Sequence, residues 1–160
     1  MEFKKVLEKL GFAEAVIIFS RAGKLPADFW KQSSLMEIIL LLAQKPQLAK
    51  VETLLNRMEK LAKTPQELQE AYEVLLNQKD TTKNRAREKR LVQRMLGCRT
   101  NQFSDWIDIL DFCKEHQRKH MRFCLQKAVA CAKLDWEWKN LHDEAKEVDD
   151  RKIVKRAQNE

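Results

Sequence analysis

The densest set of side chains that could bind a ligand lies between Lys79 and Arg99. This stretch carries eight Lys or Arg residues and only two acidic residues, Asp80 and Glu88. Lysine and arginine neutralise phosphates and release counterions from nucleic acid, so the surplus predicts a polyanion-binding surface. The alternative is an ordinary solvated helix face. The residues predicted here to contact nucleic acid are Lys83, Arg85, Arg87, Lys89, Arg90 and Arg94.

Residues 92–107, VQRMLGCRTNQFSDWI, resemble a generic helix-turn-helix motif. Its apolar positions and its turn glycine are occupied by Val92, Leu96, Gly97, Cys98, Phe103 and Trp106. The resemblance implies that Gly97 adopts a positive φ and that the following polar residues face base edges in the major groove. Asparagine and glutamine suit adenine there, and arginine suits guanine. The implied base-reading residues are Arg99, Thr100, Asn101 and Gln102.

The same residues also fit a plain connection between two structural helices. In that interpretation Gly97 ends one helix, CRTNQF is a loop, and Ser104 caps the next helix. The sequence leaves both interpretations open. The basic run predicts a phosphate-binding surface under either of them, with RNA as good a ligand as DNA.

Two histidines and two cysteines lie in CKEHQRKHMRFC, from Cys113 to Cys124. His116 and His120 are spaced to share a zinc ion, but a closed site needs four ligands, and the two cysteines are too far apart on one helix. On a straight helix, Cys113, Cys124 and Cys131 would be separated by roughly 16 and 10 Å, beyond the reach of a disulfide. The sequence therefore predicts no metal site, no cofactor, and reduced thiols.

No enzyme motif is present. The chain has no G-x-S-x-G, phosphate-binding loop or H-E-x-x-H pattern. Asp105, Asp108 and Asp111 follow a helix start, where the helix dipole alone favours acidic residues. We therefore expect a protein that binds and does not catalyse.

Trp136 and Trp138 stand two positions apart and so point to different faces of a helix. One of them can be part of a core, and the other predicts a surface for a protein partner, because tryptophan is enriched at interface anchors. This pair supports the alternative function, an all-helical protein-interaction module such as an adaptor, chaperone, viral or effector protein. The partner, or a second copy in a homodimer, would bind through residues 106–148.

The elements that must position these residues are helical. Of 160 residues only three are glycine and three are proline, while 44% are hydrophobic and 34% charged. This composition predicts an all-α fold. The prolines, at positions 26, 46 and 65, lie near helix starts, and Thr64 with Glu67 forms a capping-box pattern. We expect helices over about 3–21, 27–44, 47–62, 66–78 and from residue 80 to Leu96.

Beyond Gly97 the chain has no glycine or proline. Steps of four and three residues connect Trp106 to Val148 in a heptad-like seam, which predicts one helix of roughly 60 Å or a hairpin with a break near Asp135. The predicted fold is thus an all-α multi-helix bundle over 1–97, followed over 98–160 by a long C-terminal helix or helical hairpin whose tail projects or folds back.

The formal net charge of the chain is +7, and residues 79–134 alone carry a net +8, so this region holds the whole excess of positive charge. The leading expectation is a small, non-enzymatic regulator that binds DNA or RNA through the 79–122 surface.

The run LMEIILLLA, from Leu35 to Ala43, is too short for a membrane span and predicts a buried helix. No secretory signal is indicated, since Glu8, Lys9 and Glu14 interrupt the N-terminal apolar residues. A cytoplasmic location is expected, or a nuclear one in a eukaryotic or viral setting.

Overall fold

The computed structural model describes residues 2–44 and 50–159. Those residues form ten α-helices and two short 3₁₀ helices and include no β-strand, which confirms the predicted all-α fold. No helix within the two described ranges is long and apolar enough to cross a membrane. The α-helices are α1 Phe3–Leu10, α2 Phe12–Arg21, α3 Leu35–Ala43, α4 Val51–Leu61, α5 Pro65–Leu76, α6 Thr82–Leu96, α7 Phe103–His116, α8 Met121–Cys131, α9 Asp135–Glu147 and α10 Arg151–Ala157, and the 3₁₀ helices are Phe29–Gln32 and Arg118–His120.

The chain divides into two compact units, Met1–Val92 and Gln93–Glu160. The sequence predicted a boundary after residue 97, whereas the division falls inside α6. In the first unit, α2 packs against α1 and α3, and α3 packs against α4 and α5. Its largest fully buried side chains are Ile38, Leu41, Leu54, Leu55, Met58, Leu68, Leu75 and Leu91.

The predicted single helix over 3–21 is wrong, because Gly11 separates α1 from α2. Gly11 has a φ of 86°, a left-handed conformation that glycine adopts without steric cost. The predicted helix over 27–44 is divided as well, into the 3₁₀ helix Phe29–Gln32 and α3. The expected helix start at Pro46 lies outside the described residues.

Helix α3 corresponds to the apolar run that was predicted to be buried. Its residues Ile38, Leu41 and Leu42 are buried, but Met36 and Leu40 are 54% and 49% exposed. The helix is therefore buried along one face only. This is the usual arrangement for a helix at the edge of a small core, where one side packs and the other faces solvent.

The capping box predicted at the start of α5 is confirmed. The Thr64 side chain accepts a hydrogen bond from the Glu67 backbone, and the Glu67 carboxylate accepts from the backbone N–H groups of Thr64 and Lys63. The hydrogen bond from the Thr64 backbone has the largest effect on the Glu67 carboxyl, followed by the one from Lys63. Together they hold the pKa of Glu67 below its usual value. Each bond satisfies a donor that the helix start leaves without an intrahelical partner.

In the second unit the heptad-like seam is not one continuous helix. The chain turns at Gln117 and again over 132–134, so that α7 packs along α8, α8 against α9, and α9 along α10. The second turn agrees with the break expected near Asp135. The first lacks a glycine or proline and follows from packing, since it allows the apolar faces of α7 and α8 to bury each other. Their buried side chains include Trp106, Ile109, Leu110, Cys113, Cys124, Leu125 and Ala128.

Candidate nucleic-acid interface

Arg87, one of the residues predicted to contact phosphate, lies inside the first unit and is 4% exposed. Its guanidinium donates to Glu52 at 2.8 Å, to Asn56 at 2.6 Å and to Asn84 at 2.7 Å. The hydrogen bond from Arg87 lowers the pKa of Glu52, with a further contribution from the charge of Lys83. The predicted phosphate contact for Arg87 is not compatible with this burial, because the guanidinium is occupied in joining α6 to α4.

Two other arginines of α6 are paired with carboxylates of the same unit. Arg85 makes two hydrogen bonds of 2.7 Å to Asp80, which lower the pKa of Asp80, and Arg90 makes two to Glu59 at 2.5 and 2.9 Å. Both arginines are exposed but already neutralised. Among the described residues, Lys89 takes part in no ion pair. Half of the six cations predicted on α6, namely Arg85, Arg87 and Arg90, are therefore compensated internally.

The predicted base-reading residues do not lie on a helix. Residues 99–102 precede α7, and Gly97 does not have the positive φ that the motif implies. The Thr100 hydroxyl donates to Asp105 and accepts from the Gln102 backbone, and the Trp106 indole donates to the Thr100 carbonyl. Thr100 thus organises the connection to α7. Ser104, the predicted cap, lies within the first turn of α7 instead.

The other members of this set, Arg99, Asn101 and Gln102, are exposed in the same connection. Arg94, at the end of α6, is exposed as well, and its charge opposes the rise in the pKa of Cys98 that burial causes. These side chains are accessible to a ligand, but a loop presents them and not the first turn of a recognition helix.

A second cationic stretch lies in the second unit. The predicted 79–122 surface included its first part, up to Arg122, but the sequence analysis named none of its residues as a contact. Residues 116–134 contain no acidic residue. We call this stretch the cationic segment; its Lys and Arg residues are Arg118, Lys119, Arg122, Lys127 and Lys133. All five are exposed, and none belongs to an ion pair formed among the described residues. The acid-free run was the sequence signal that could have indicated them.

Lys114, just before the cationic segment, differs from these five cations because it is paired with carboxylates. Its ammonium contacts Glu144 at 2.5 Å, Glu147 at 2.8 Å and Asp111 at 3.2 Å. Partial burial works against its charged form, but the hydrogen bonds to these carboxylates outweigh that effect and raise the pKa of Lys114. Lys114 is therefore neutralised within the unit, while the five cations that follow it keep their charge available.

Four aromatic rings of the second unit form two edge-to-face pairs that each include a ring of α7, and together we call them the aromatic row. Trp136 meets Phe103 edge to face with centroids 5.7 Å apart, and Phe123 meets Trp106 in the same way at 6.1 Å. Phe103 and Trp106 are buried and stand three residues apart on α7, on neighbouring positions of one helix face. The two outer rings are accessible, since Trp136 is 58% and Phe123 40% exposed.

Lys127 links the cationic segment to the aromatic row. Its ammonium lies 5.4 Å from the centroid of Phe123 and 5.9 Å from that of Trp106, within cation–π range. Trp138, the other tryptophan predicted to bind a partner, is half-buried and is covered by Arg156 at 5.3 Å. The two tryptophans therefore differ: Trp136 is presented to solvent, and Trp138 packs against its own unit.

The turn at Gln117 also brings together two cysteines that the sequence analysis placed about 16 Å apart. The Sγ atoms of Cys113 and Cys124 are 3.7 Å from each other, and both residues are fully buried. The S–H of Cys124 stabilises the Cys113 thiolate, which lowers the pKa of Cys113 and raises that of Cys124. Within the described part of the chain, no group of three or more His, Cys, Asp or Glu side chains could hold a metal ion.

Comparison of the chain with protein-family models, with curated proteins and with solved structures found no match in any of the three.

Proposed function

We propose that this protein binds nucleic acid without catalysing a reaction, and that the cationic segment supplies the phosphate contacts. The observation that carries the proposal is that five exposed cations follow one another with no carboxylate between them, and that no ion pair within residues 2–44 and 50–159 neutralises them. The predicted surface on α6 is a poorer candidate, because Arg85, Arg87 and Arg90 are already paired.

Binding of this kind is electrostatic and depends on salt. Each phosphate that is neutralised lowers the logarithm of the association constant by about 0.9 per decade of salt for duplex DNA and by about 0.7 for a single strand. If three to five cations of the segment contact phosphates, the slope should lie between roughly −2 and −4.5. The slope therefore reports how many phosphates the bound protein neutralises.

The test measures binding of fluorescein-labelled RNA and DNA oligonucleotides by anisotropy over a salt series. The variant Arg122→Glu/Lys127→Glu should lose most of the affinity and reduce the slope. The control Lys4→Glu/Lys24→Glu introduces the same change in net charge at two exposed lysines outside both the cationic segment and the 79–122 surface and should bind nearly as the wild type does. Equal losses in the two variants, or no salt-dependent binding by the wild type, would refute the proposal.

A second function, binding of a protein partner, is favoured by one observation. Trp136 and Leu134 are 58% and 53% exposed, and large apolar side chains so open to solvent mark interaction sites. Lys133, which precedes Leu134 in the chain and is exposed, favours a partner segment with acidic residues around an apolar anchor.

Selection of displayed peptides against the full chain tests this second function. Wild-type protein should enrich acidic peptides with an apolar anchor, and Trp136→Ser should abolish the enrichment. The control Trp138→Ser replaces a ring that Arg156 already covers and should keep it. Failure to enrich such peptides, or equal enrichment by Trp136→Ser, contradicts partner binding at this position.

A further inference from the structure

We infer that the nucleic acid bound by the cationic segment is single-stranded, and that unpaired bases stack on the exposed rings of Phe123 and Trp136. This inference rests on the proposed function and specifies its ligand. The juxtaposition behind it is that the acid-free cations and the two accessible rings belong to the same small unit, where Lys127 lies over the Phe123 ring and Trp136 packs against Phe103 on α7.

The exposed rings distinguish a single strand from a duplex. In a duplex the base faces are stacked on one another and cannot reach a side chain, whereas an unpaired base offers its face to any aromatic ring. Phe123 and Trp136 each use one contact to pack against a buried ring of α7 and leave much of their surface open. Stacking of this kind tolerates any base sequence, because every base has a π face.

The positions of the two rings suit a short stretch of one strand. Both are attached to α7 through Phe103 and Trp106, whose side chains are neighbours on the helix at about 5–6 Å. The outer rings are therefore within roughly 20 Å of each other, by the neighbour spacing of side chains on a helix. A strand of a few nucleotides spans that distance, so one molecule could stack bases at both ends of the aromatic row.

Cations stand next to both rings. Arg122 precedes Phe123 in the chain, Lys127 lies over the Phe123 ring, and Lys133 comes three residues before Trp136. A base on either ring would thus have its phosphate near a lysine or arginine that has no carboxylate partner in the described ranges. Lys127 itself would exchange its contact with the rings for a stronger one with phosphate.

The experiment compares a labelled, unstructured 12-nucleotide RNA with a duplex of the same length, using the full chain at fixed salt. The single strand should bind at least about tenfold more tightly. Phe123→Leu and Trp136→Leu, which keep apolar bulk against α7, should each weaken single-strand binding by about 5- to 100-fold and leave duplex binding unchanged. Trp138→Leu is the control and should bind as the wild type does.

The experiment distinguishes failure of this inference from failure of the proposed function. If duplex and single strand bind equally and neither leucine variant has an effect, contact is through charge alone: the inference is overturned and the proposed function stands. If neither oligonucleotide binds to the wild type, both fail. Circular dichroism melts establish that each variant is folded, and because Trp136 is the more exposed ring, its variant decides the outcome should Phe123→Leu unfold.

Discussion

Replacing Arg87 by methionine should destabilise the first unit strongly. The guanidinium is 4% exposed and holds Glu52, Asn56 and Asn84 by hydrogen bonds, with Glu59 at 4.0 Å. Methionine keeps the unbranched stem of the side chain and its helix propensity but removes the guanidinium and with it every donor. The polar partners would remain beside an apolar group with fewer hydrogen bonds than they can make.

Removal of one partner from a buried ion pair costs about 3–5 kcal/mol. Here Glu52 is 55% exposed and regains water when Arg87 is lost, so we expect the lower end of that range, about 3 kcal/mol. The matched control is Arg90→Met. Arg90 is itself 51% exposed, and loss of an exposed pair typically costs about 1 kcal/mol or less.

Urea denaturation followed by circular dichroism measures both free energies of unfolding, with the slope compared between variants to detect a change in the unfolded state. If Arg87→Met and Arg90→Met are equally and mildly destabilised, the buried network does not have the role argued for it. A second measurement separates stability from binding: folded Arg87→Met should keep the nucleic-acid affinity of the wild type, because Arg87 does not face the ligand.

Three further outcomes can be measured. Thr64→Ala should lower the free energy of unfolding by about 1 kcal/mol in a urea titration. The folded pKa of Glu67 is lowered from 4.5, so Glu67 contributes stability that is present above pH 4.5 and is lost as the pH falls through the folded value. Glu67→Gln should therefore reduce the loss of stability below pH 4.5 in an acid titration. In a Cys98→Ser/Cys131→Ser background, refolding in the presence of diamide should join Cys113 to Cys124, remove two hydrogens in intact-mass spectra and stabilise the chain by about 3 kcal/mol, and adding Cys124→Ala should abolish both effects.

The all-α fold could be predicted from composition and periodicity, because local signals determine it. The scarcity of glycine and proline indicated helices, and the capping box at Thr64 marked the start of one. The turn at Gln117 could not be predicted in the same way. No residue there opposes a helix, and the chain turns because α7 and α8 bury their apolar faces against each other, an effect of tertiary packing that exceeds local propensity.

The candidate site was harder to predict, because a basic residue looks the same in sequence whether it is free or paired. Arg87 contacts Glu52, which lies 35 residues earlier, and no local sequence pattern predicts that contact. A weak signal existed in α4, where Glu52, Asn56 and Glu59 repeat at four and three residues and form a polar stripe. The cationic segment was visible as a run without carboxylates, but the rings beside it come together only in the fold.

The rate at which the buried thiols of the α7–α8 hairpin react with an alkylating reagent reports how often this hairpin opens locally. Cys113 and Cys124 are 0% exposed, so a water-soluble alkylating reagent cannot modify them while the two helices remain together. Cys98 and Cys131 are partly exposed and would be modified first. The delay between modification of the partly exposed cysteines and modification of the buried pair then measures how often this hairpin separates. A bound oligonucleotide that holds α8 in place should lengthen this delay.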